Sequence, residues 1–167
     1  MADTWEFLKA ADAISGKEGT LYAEIDGNVV AVAECKTISA KIAKEKQEFK
    51  ALGYRGKQHK ATGWSGTGSM TVYFVTSMWT KLMYKYVKKG IDTYFKLTIT
   101  NEDPTAENTG KQVITLIDVN MDDVEIAKLD TEANFLDQQM NFTFSDLDLS
   151  EEFSYQKDKR KDIASIS

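Results

Sequence analysis

The sequence predicts a mainly β domain that carries one α-helix. Three observations support this prediction. Short segments of alternating or β-branched character recur along most of the chain, one segment has helical spacing instead, and the chain has the size of a single domain. Its 167 residues are 42% hydrophobic and 28% charged, which suits one domain with a substantial core. A core of that size requires neither a disulfide nor a metal ion to fold.

The first two strand candidates are joined by a hairpin signal. Residues 20–25 (TLYAEI) place Leu21, Ala23 and Ile25 on one face, and residues 29–35 resume an extended, β-branched pattern. Asp26-Gly27 lies between them, and glycine readily adopts the positive φ that a two-residue primed turn requires. The sequence therefore predicts an antiparallel hairpin here.

Five further strands are predicted downstream, over residues 69–75, 93–100, 111–119, 124–129 and 139–149. In the last of them, Met140, Phe142 and Phe144 face one way, while the polar residues between them face the other. Such period-two alternation is typical of a half-buried strand.

The helix is predicted over about residues 77–89. Lys88 and Lys89 occupy its last turn, and Gly90 follows as a stop signal, as expected from the helix dipole and from C-cap preferences. We interpret its apolar stripe as a face packed over a sheet; the stripe consists of Met78, Leu82, Met83, Tyr86 and Val87.

Two segments are predicted as loops. Residues 36–52 have helical propensity, yet Ile38, Ala40 and Ile42 alternate with polar residues as in a strand. We interpret them as a strand that runs into a long mobile loop over about residues 41–62, because the apolar content of that segment is too low for core. Residues 101–110, with the single proline Pro104, form a surface loop.

Charge is distributed unevenly along a chain whose net charge is −5. Residues 36–60 carry eight Lys/Arg against two acids, a net of +6, and residues 101–155 carry fourteen acids against two bases, a net of −12. Two segments of opposite charge on one chain favour attraction between copies of the same protein. Two solvated faces that do not interact are the alternative. A further alternative is a monomeric nucleic-acid-binding module that uses the basic segment for phosphate contacts, although Phe49 and Tyr54 are its only aromatic residues.

The sequence offers no candidate for catalysis, cofactor binding or metal binding. The glycines around Trp64 precede a strand, whereas a phosphate-binding loop requires a following helix. His59 lies in a predicted polar loop. Because it is the only histidine, no catalytic triad can use a second imidazole. Cys35 is the only cysteine, so no internal disulfide forms and a reducing compartment is expected. We predict a soluble protein that is not an enzyme and does not bind membranes, because no apolar run approaches the length of a membrane span.

Several collinear blocks resemble the tail tube proteins of contractile-tailed phages, in particular the branch found in defective prophages and phage-tail-like bacteriocins. The resemblance runs from about residue 16 to residue 153. It is carried by GKEGTLYAEIDG (16–27), RGKQHKATGWSGTGSMTVYFVTS (55–77), FKLTITNEDPT (95–105), GKQVITLIDVNMD (110–122) and MNFTFSDLDL (140–149).

The resemblance implies a β-sandwich or barrel-like protomer with one flanking helix. Homohexameric rings of such protomers stack into a hollow tube, and a sheath contracts around the tube and drives it through a target envelope. The implied partners are further copies of the chain, the tail sheath protein, baseplate or initiator proteins and terminator proteins. DNA would pass transiently through the lumen in a true phage but not in a bacteriocin. The implied location is a virion or phage-tail-like particle assembled in the bacterial host cytoplasm. A type VI secretion-like tube protein, which is similar in fold, is the alternative.

The tube interpretation assigns roles to specific residues. We predict an inter-ring stacking loop with the basic residues Lys41, Lys44, Lys46, Lys50, Arg55, Lys57 and Lys60. Turn glycines at Gly63, Gly66 and Gly68 would bring this loop back into the next strand, and lumen-facing acids are expected at Asp118, Asp130 and Glu132. Three regions are predicted: an N-terminal docking arm over residues 1–15 with Trp5 and Phe7, one tail-tube domain over residues 16–155, and a disordered C-terminal tail over residues 156–167.

Overall fold

The computed structural model describes residue 10, residues 13–106 and residues 109–153. These residues form eight strands and one helix. In chain order the elements are β1 (Thr20–Ile25), β2 (Asn28–Ala31), β3 (Cys35–Phe49), β4 (Gln58–Tyr73), α1 (Met78–Lys89), β5 (Phe95–Glu102), β6 (Lys111–Val124), β7 (Asp137–Phe144) and β8 (Asp146–Glu151). The prediction of a mainly β chain with one helix is confirmed.

The strands form two antiparallel layers that share the long strand β6. The first layer has the order β2-β1-β5-β6, with β8 on the other side of β6. The second layer has the order β6-β7-β4-β3. The first part of β6 pairs with β5 and β8, and residues 120–124 pair with β7. β6 changes layer near Asp118, whose φ of 55° marks the local irregularity that lets one strand serve both layers.

The core lies between the two layers. Alternate residues of the first layer, such as Ala23 and Leu97, are fully buried, and so are Met70, Val72 and Phe142 of the second layer. The period-two pattern of β7 is confirmed, because Met140, Phe142 and Phe144 are buried while the residues between them are not. Each layer therefore supplies the apolar face that buries the other.

Helix α1 covers one side of this core. Trp79 is 0% exposed, and its ring centroid lies 5.8 Å from that of Phe95. Met78, Leu82 and Met83 pack partly buried against the same cluster. The predicted stripe was wrong at its C-terminal end, because Tyr86 and Val87 are exposed. Trp79 packs into the core instead, so the packed residues of α1 lie in its N-terminal half.

Two local signals are confirmed. Ile25 pairs with Asn28, and Asp26 and Gly27 have φ values of 51° and 81°, as in a primed two-residue turn. At the end of α1, Gly90 is left-handed with φ 67°, and its N–H donates to the Tyr86 carbonyl at 2.9 Å.

Three boundaries were predicted wrongly. The long loop over residues 41–62 is instead a β-hairpin, because β3 runs to Phe49 and β4 begins at Gln58. The run over residues 29–35 is interrupted after Ala31 and resumes as β3. No separate strand covers residues 124–129, because β6 ends at Val124 and the following segment is a loop that extends to Leu136. Residues 1–9, 11 and 12 of the predicted N-terminal arm, with Trp5 and Phe7 among them, and the predicted tail over residues 156–167 lie outside the described residues.

Candidate assembly surfaces

A long β-hairpin projects from the second layer, and we call residues 42–65 the arm. Within the layer, β4 pairs with β3 on one side and with β7 on the other, but the pairing with β7 begins only at Gly66, opposite Phe144. Residues 43–49 and 58–65 therefore pair only with each other, from Ala43–Ser65 to Phe49–Gln58. The arm is thus ordered by its own ladder rather than by the core, which explains its low apolar content.

The predicted basic residues lie on this arm or at its base. All seven are exposed, and Lys57 is the only one of them that forms an ion pair within the described part of the chain, with Glu48 at 3.6 Å. His59 also lies in the arm, opposite Glu48, and not in a loop. Because most of these basic residues have no acidic partner within the described residues, the arm presents a positive surface to other molecules.

The predicted turn glycines do not form a turn. Gly63, Gly66 and Gly68 all lie inside β4, and none has a left-handed φ. Gly66 and Gly68 instead lie beneath aromatic rings of β7. A Cβ at Gly66 would lie 2.5 Å from Cε2 of Phe144, and one at Gly68 would lie against the Phe142 ring and 2.7 Å from the Ser39 carbonyl oxygen. The glycines therefore make room for cross-strand packing, a role that required knowledge of the partner strand.

The outward face of the second layer is polar. Its middle rows consist of small hydroxyl and amide side chains on neighbouring strands, and they are Ser39, Ser69 and Asn141 in one row and Thr37, Thr71 and Gln139 in the next. Asn141 donates from Nδ2 to both carboxylate oxygens of Asp123, at 3.1 and 2.9 Å. Sequence reasoning identified this alternation in β7 alone and missed the continuous face.

This second layer also has two open strand edges. Within the described residues, β3 pairs only with β4, and the 120–124 part of β6 pairs only with β7. Unpaired backbone N–H and C=O groups on both sides of a sheet are a template for strand addition by another chain.

The predicted lumen acids are not brought together. Asp118 lies beside Asn120 and Thr143 in a surface depression and accepts a hydrogen bond from Ser145 Oγ at 3.1 Å. Asp130 and Glu132 lie in the loop between β6 and β7, where the Glu132 N–H donates to Asp130 Oδ1 at 3.0 Å. Sequence reasoning missed Asp123, the acid on the polar face.

The titratable groups with shifted pKa values have structural causes. Burial, together with the neighbouring Glu34 charge, raises the pKa of the Cys35 thiol to about 11. The Thr105 hydroxyl and the Ser15 and Thr105 N–H groups hold the pKa of Asp103 below its ordinary value. Burial and the adjacent Asp123 raise the pKa of Asp122.

Among the described residues, no three His, Cys, Asp or Glu side chains are grouped so as to hold a metal ion. None of the described helices is long and apolar enough to cross a bilayer.

A two-layer β fold with open edges, a polar sheet face and a projecting basic arm defines a class of protein, the self-assembling structural subunit. The model of the phage tail tube protein family matches residues 6–151. The chain belongs to the phage tail tube protein family and is a structural subunit of that kind. This family assignment confirms the resemblance found in the sequence and favours it over the type VI secretion-like alternative.

Relatives and solved structures agree with this assignment. The chain is 44% identical over 147 residues to the phage-like element PBSX protein XkdM of Bacillus subtilis strain 168. The aligned segment covers 88% of this chain and 97% of XkdM. Its fold is similar to a chain of the anti-feeding prophage tube-terminating cap, with a TM-score of 0.64 at 10% identity over 90% of this chain and 99% of the other. It is also similar to a chain of the sheath–tube complex of an extracellular contractile injection system, with a TM-score of 0.60 at 8% identity over 83% and 91%.

Proposed function

We propose that this protein is a non-enzymatic subunit that forms hexameric rings, which stack into the hollow tube of a contractile tail. The second layer carries the proposal, because it combines two open edges with one polar face. Pairing of β3 of one copy with the 120–124 part of β6 of the next copy would continue the sheet from subunit to subunit. Such a heterologous contact closes into a ring when its rotation permits.

In the proposed ring the polar face of the second layer lines the lumen. The opposite face of this layer is occupied by core residues such as Val72 and Phe142, so only the polar face is free to face a channel. Scattered carboxylates on this face repel DNA phosphates, and its hydroxyl and amide groups attract them only weakly, because no basic residue lies in its two middle rows. We assign Asp118 and Asp123 to this lining, and DNA passes through it only if the particle is a true phage.

The proposed partners follow from the tube role. They are further copies of the chain, a sheath around the tube, baseplate or initiator proteins at one end and a terminator at the other. The fold similarity to chains of a sheath–tube complex and of a tube-terminating cap supports this set of partners.

Assembly would take place in the bacterial host cytoplasm, with the finished subunit in a virion or phage-tail-like particle. The predicted regions 1–15, 16–155 and 156–167 are retained as an N-terminal docking arm that includes Trp5 and Phe7, a tube domain and a tail.

The arm would contact the adjacent ring. Its six basic residues project beyond the layer, while the rest of the chain is acidic overall, so ring stacking brings opposite charges together. Replacing Lys44, Lys46 and Lys50 with Gln should shorten or abolish tubes while leaving the urea unfolding midpoint unchanged. The matched control replaces Lys81, Lys85 and Lys88 of α1, which removes the same charge from another surface. Electron micrographs of normal tubes from the arm variant would refute the stacking role.

The orientation of the polar face can be tested by labelling assembled tubes. In a Cys35→Ser background, Ser69→Cys should react with a small maleimide that diffuses into the lumen but not with a maleimide coupled to a globular protein. Val87→Cys on α1 is the control for the outer surface and should react with both reagents. Reaction of Ser69→Cys in tubes with the protein-coupled reagent would exclude a lumenal position for this face.

A further inference from the structure

An apolar groove lies beside the C-terminal end of β4. It has a volume of about 420 Å³ and is lined by Glu34, Tyr73, Phe74, Val75, Phe135 and Leu136. Val75 and Phe135 are 76% and 77% exposed, so the groove presents its apolar surface to solvent. Exposed apolar surface of this kind marks sites of protein contact.

Backbone hydrogen bonds fix the walls of the groove. The Tyr73 N–H donates to the Glu34 carbonyl and the Phe74 N–H donates to the Leu136 carbonyl, both at 2.9 Å. The Tyr73 and Phe135 rings meet edge to face with centroids 6.3 Å apart. Nearby, Lys128 donates to Asp137 at 2.8 Å, which ties the first part of the 125–136 loop to the start of β7. The groove is therefore a preformed feature of the isolated subunit.

The tip of the arm carries complementary apolar side chains. Leu52 is 105% exposed, and Phe49 and Tyr54 are also exposed. They lie in or next to the turn between β3 and β4, among Lys50, Arg55 and other basic residues. Three large apolar side chains in six residues at the end of a projecting hairpin have no core to enter in their own subunit.

The tip and the groove of one subunit are separated by the length of β4. The tip precedes Gln58, the groove begins at Tyr73, and β4 is a single strand of 16 residues between them. At a rise of about 3.3 Å per residue, the two features lie roughly 50 Å apart along the strand. The tip therefore cannot fill the groove of its own subunit, so a tip that docks in the groove must belong to a second copy.

Charge favours the same pairing. Glu34 lines the groove, and Asp130 and Glu132 lie in the loop that supplies Phe135 and Leu136. Lys128 and Lys36, the nearby bases, are both paired with Asp137. Among the residues that the structure describes, Glu34, Asp130 and Glu132 form no ion pair, and neither do Lys50 and Arg55 near the tip. Opposite charges on the two surfaces would align the partners and speed their encounter.

We infer that the arm tip of one copy (Phe49, Leu52 and Tyr54) docks into the groove of a copy in the adjacent ring, so that Asp130 and Glu132 serve ring stacking and not the lumen. This inference rests on the proposed tube function. Because the tip and the groove lie at opposite ends of β4, the contact is head to tail and repeats without closing, as an open-ended stack requires.

Cysteine cross-linking tests the contact directly. In a Cys35→Ser background, the variant with both Leu52→Cys and Val75→Cys should give a ladder of covalent multimers after oxidation of assembled protein. The matched control combines Leu52→Cys with Val87→Cys, since Val87 is 72% exposed and Val75 is 76% exposed. The control and both single variants should remain without a ladder.

The outcomes separate the inference from the proposed function. Tubes that form without a ladder overturn the tip-in-groove contact and leave the tube function intact. Failure of the wild-type protein to form rings or tubes under any condition overturns both. A second measurement covers the case in which the cysteine variant does not assemble. Leu52→Ser and Val75→Ser should each reduce the assembled fraction at unchanged urea midpoint, and the double variant should be no worse than the more severe single one. Additive losses would contradict the contact.

Discussion

Replacing Gly68 with Ala should destabilise the second layer by about 2–3 kcal/mol, the upper part of the range for overpacking a filled site. The new Cβ would lie 2.7 Å from the Ser39 carbonyl oxygen and against the ring of Phe142. Phe142 is fully buried, and Ser39 belongs to the neighbouring strand. Neither the ring nor the backbone can therefore retreat without disturbing the core or the ladder.

Two other glycines of β4 provide a graded comparison. At Gly66 the clash involves only the ring of Phe144, which can shift, so Gly66→Ala should cost about 1–2 kcal/mol. At Gly63 the nearest heavy atom is Glu45 Oε2 at 3.6 Å, so Gly63→Ala should be neutral or should stabilise by up to about 1 kcal/mol through the unfolded chain.

Urea unfolding followed by tryptophan fluorescence measures these differences. The midpoint should fall in the order Gly63→Ala, Gly66→Ala, Gly68→Ala at an unchanged slope. For a chain of this size, a loss of 2 kcal/mol corresponds to a fall of roughly 4–8 °C in the thermal midpoint. An unchanged midpoint for Gly68→Ala would refute the cross-strand packing argument.

Three further predictions concern the core and two titratable groups. Trp79→Ala should destabilise the protein by about 3–5 kcal/mol, because it opens a cavity under α1; a urea midpoint within error of the wild type would contradict that packing. Asp103 has a lowered pKa, so its stabilisation is present above the ordinary value of 3.8 and is lost as the pH falls through the lower folded value. The midpoint difference between the wild type and Asp103→Asn should therefore shrink from neutral pH to about pH 2.5, and a constant difference would count against the hydrogen-bonded carboxylate. Because the pKa of Cys35 is about 11, its alkylation rate should still rise about tenfold per pH unit between about pH 8 and 9.5. A rate that levels off in that interval would show an ordinary, solvated thiol.

Signals confined to neighbouring residues were predicted correctly. The Asp26-Gly27 turn and the Gly90 helix end depend on backbone preferences at one or two positions, and these preferences are visible in the sequence. The alternation of β7 was equally readable, because burial of one sheet face selects apolar residues at every second position. These features established the mainly β character of the fold and the position of its helix.

Features that depend on a distant partner were not predicted. The arm lacks an apolar face because it pairs only with itself, so its composition resembled that of a loop. Gly66 and Gly68 were interpreted as turn residues because the rings that cover them come from β7, more than seventy residues later in the chain. The polar face and the groove likewise combine residues from separate strands, which no local pattern reveals.

In the proposed tube, the second layer continues from subunit to subunit and surrounds a channel. Cryo-electron microscopy of the assembled wild-type protein, with helical reconstruction, would show this arrangement. We expect a hollow tube of stacked hexameric rings in which β3 of one subunit pairs with the end of β6 of the next, with Ser69 and Asn141 facing the lumen. A filament without a channel, or a tube in which these residues lie on the outer wall, would rule out this arrangement.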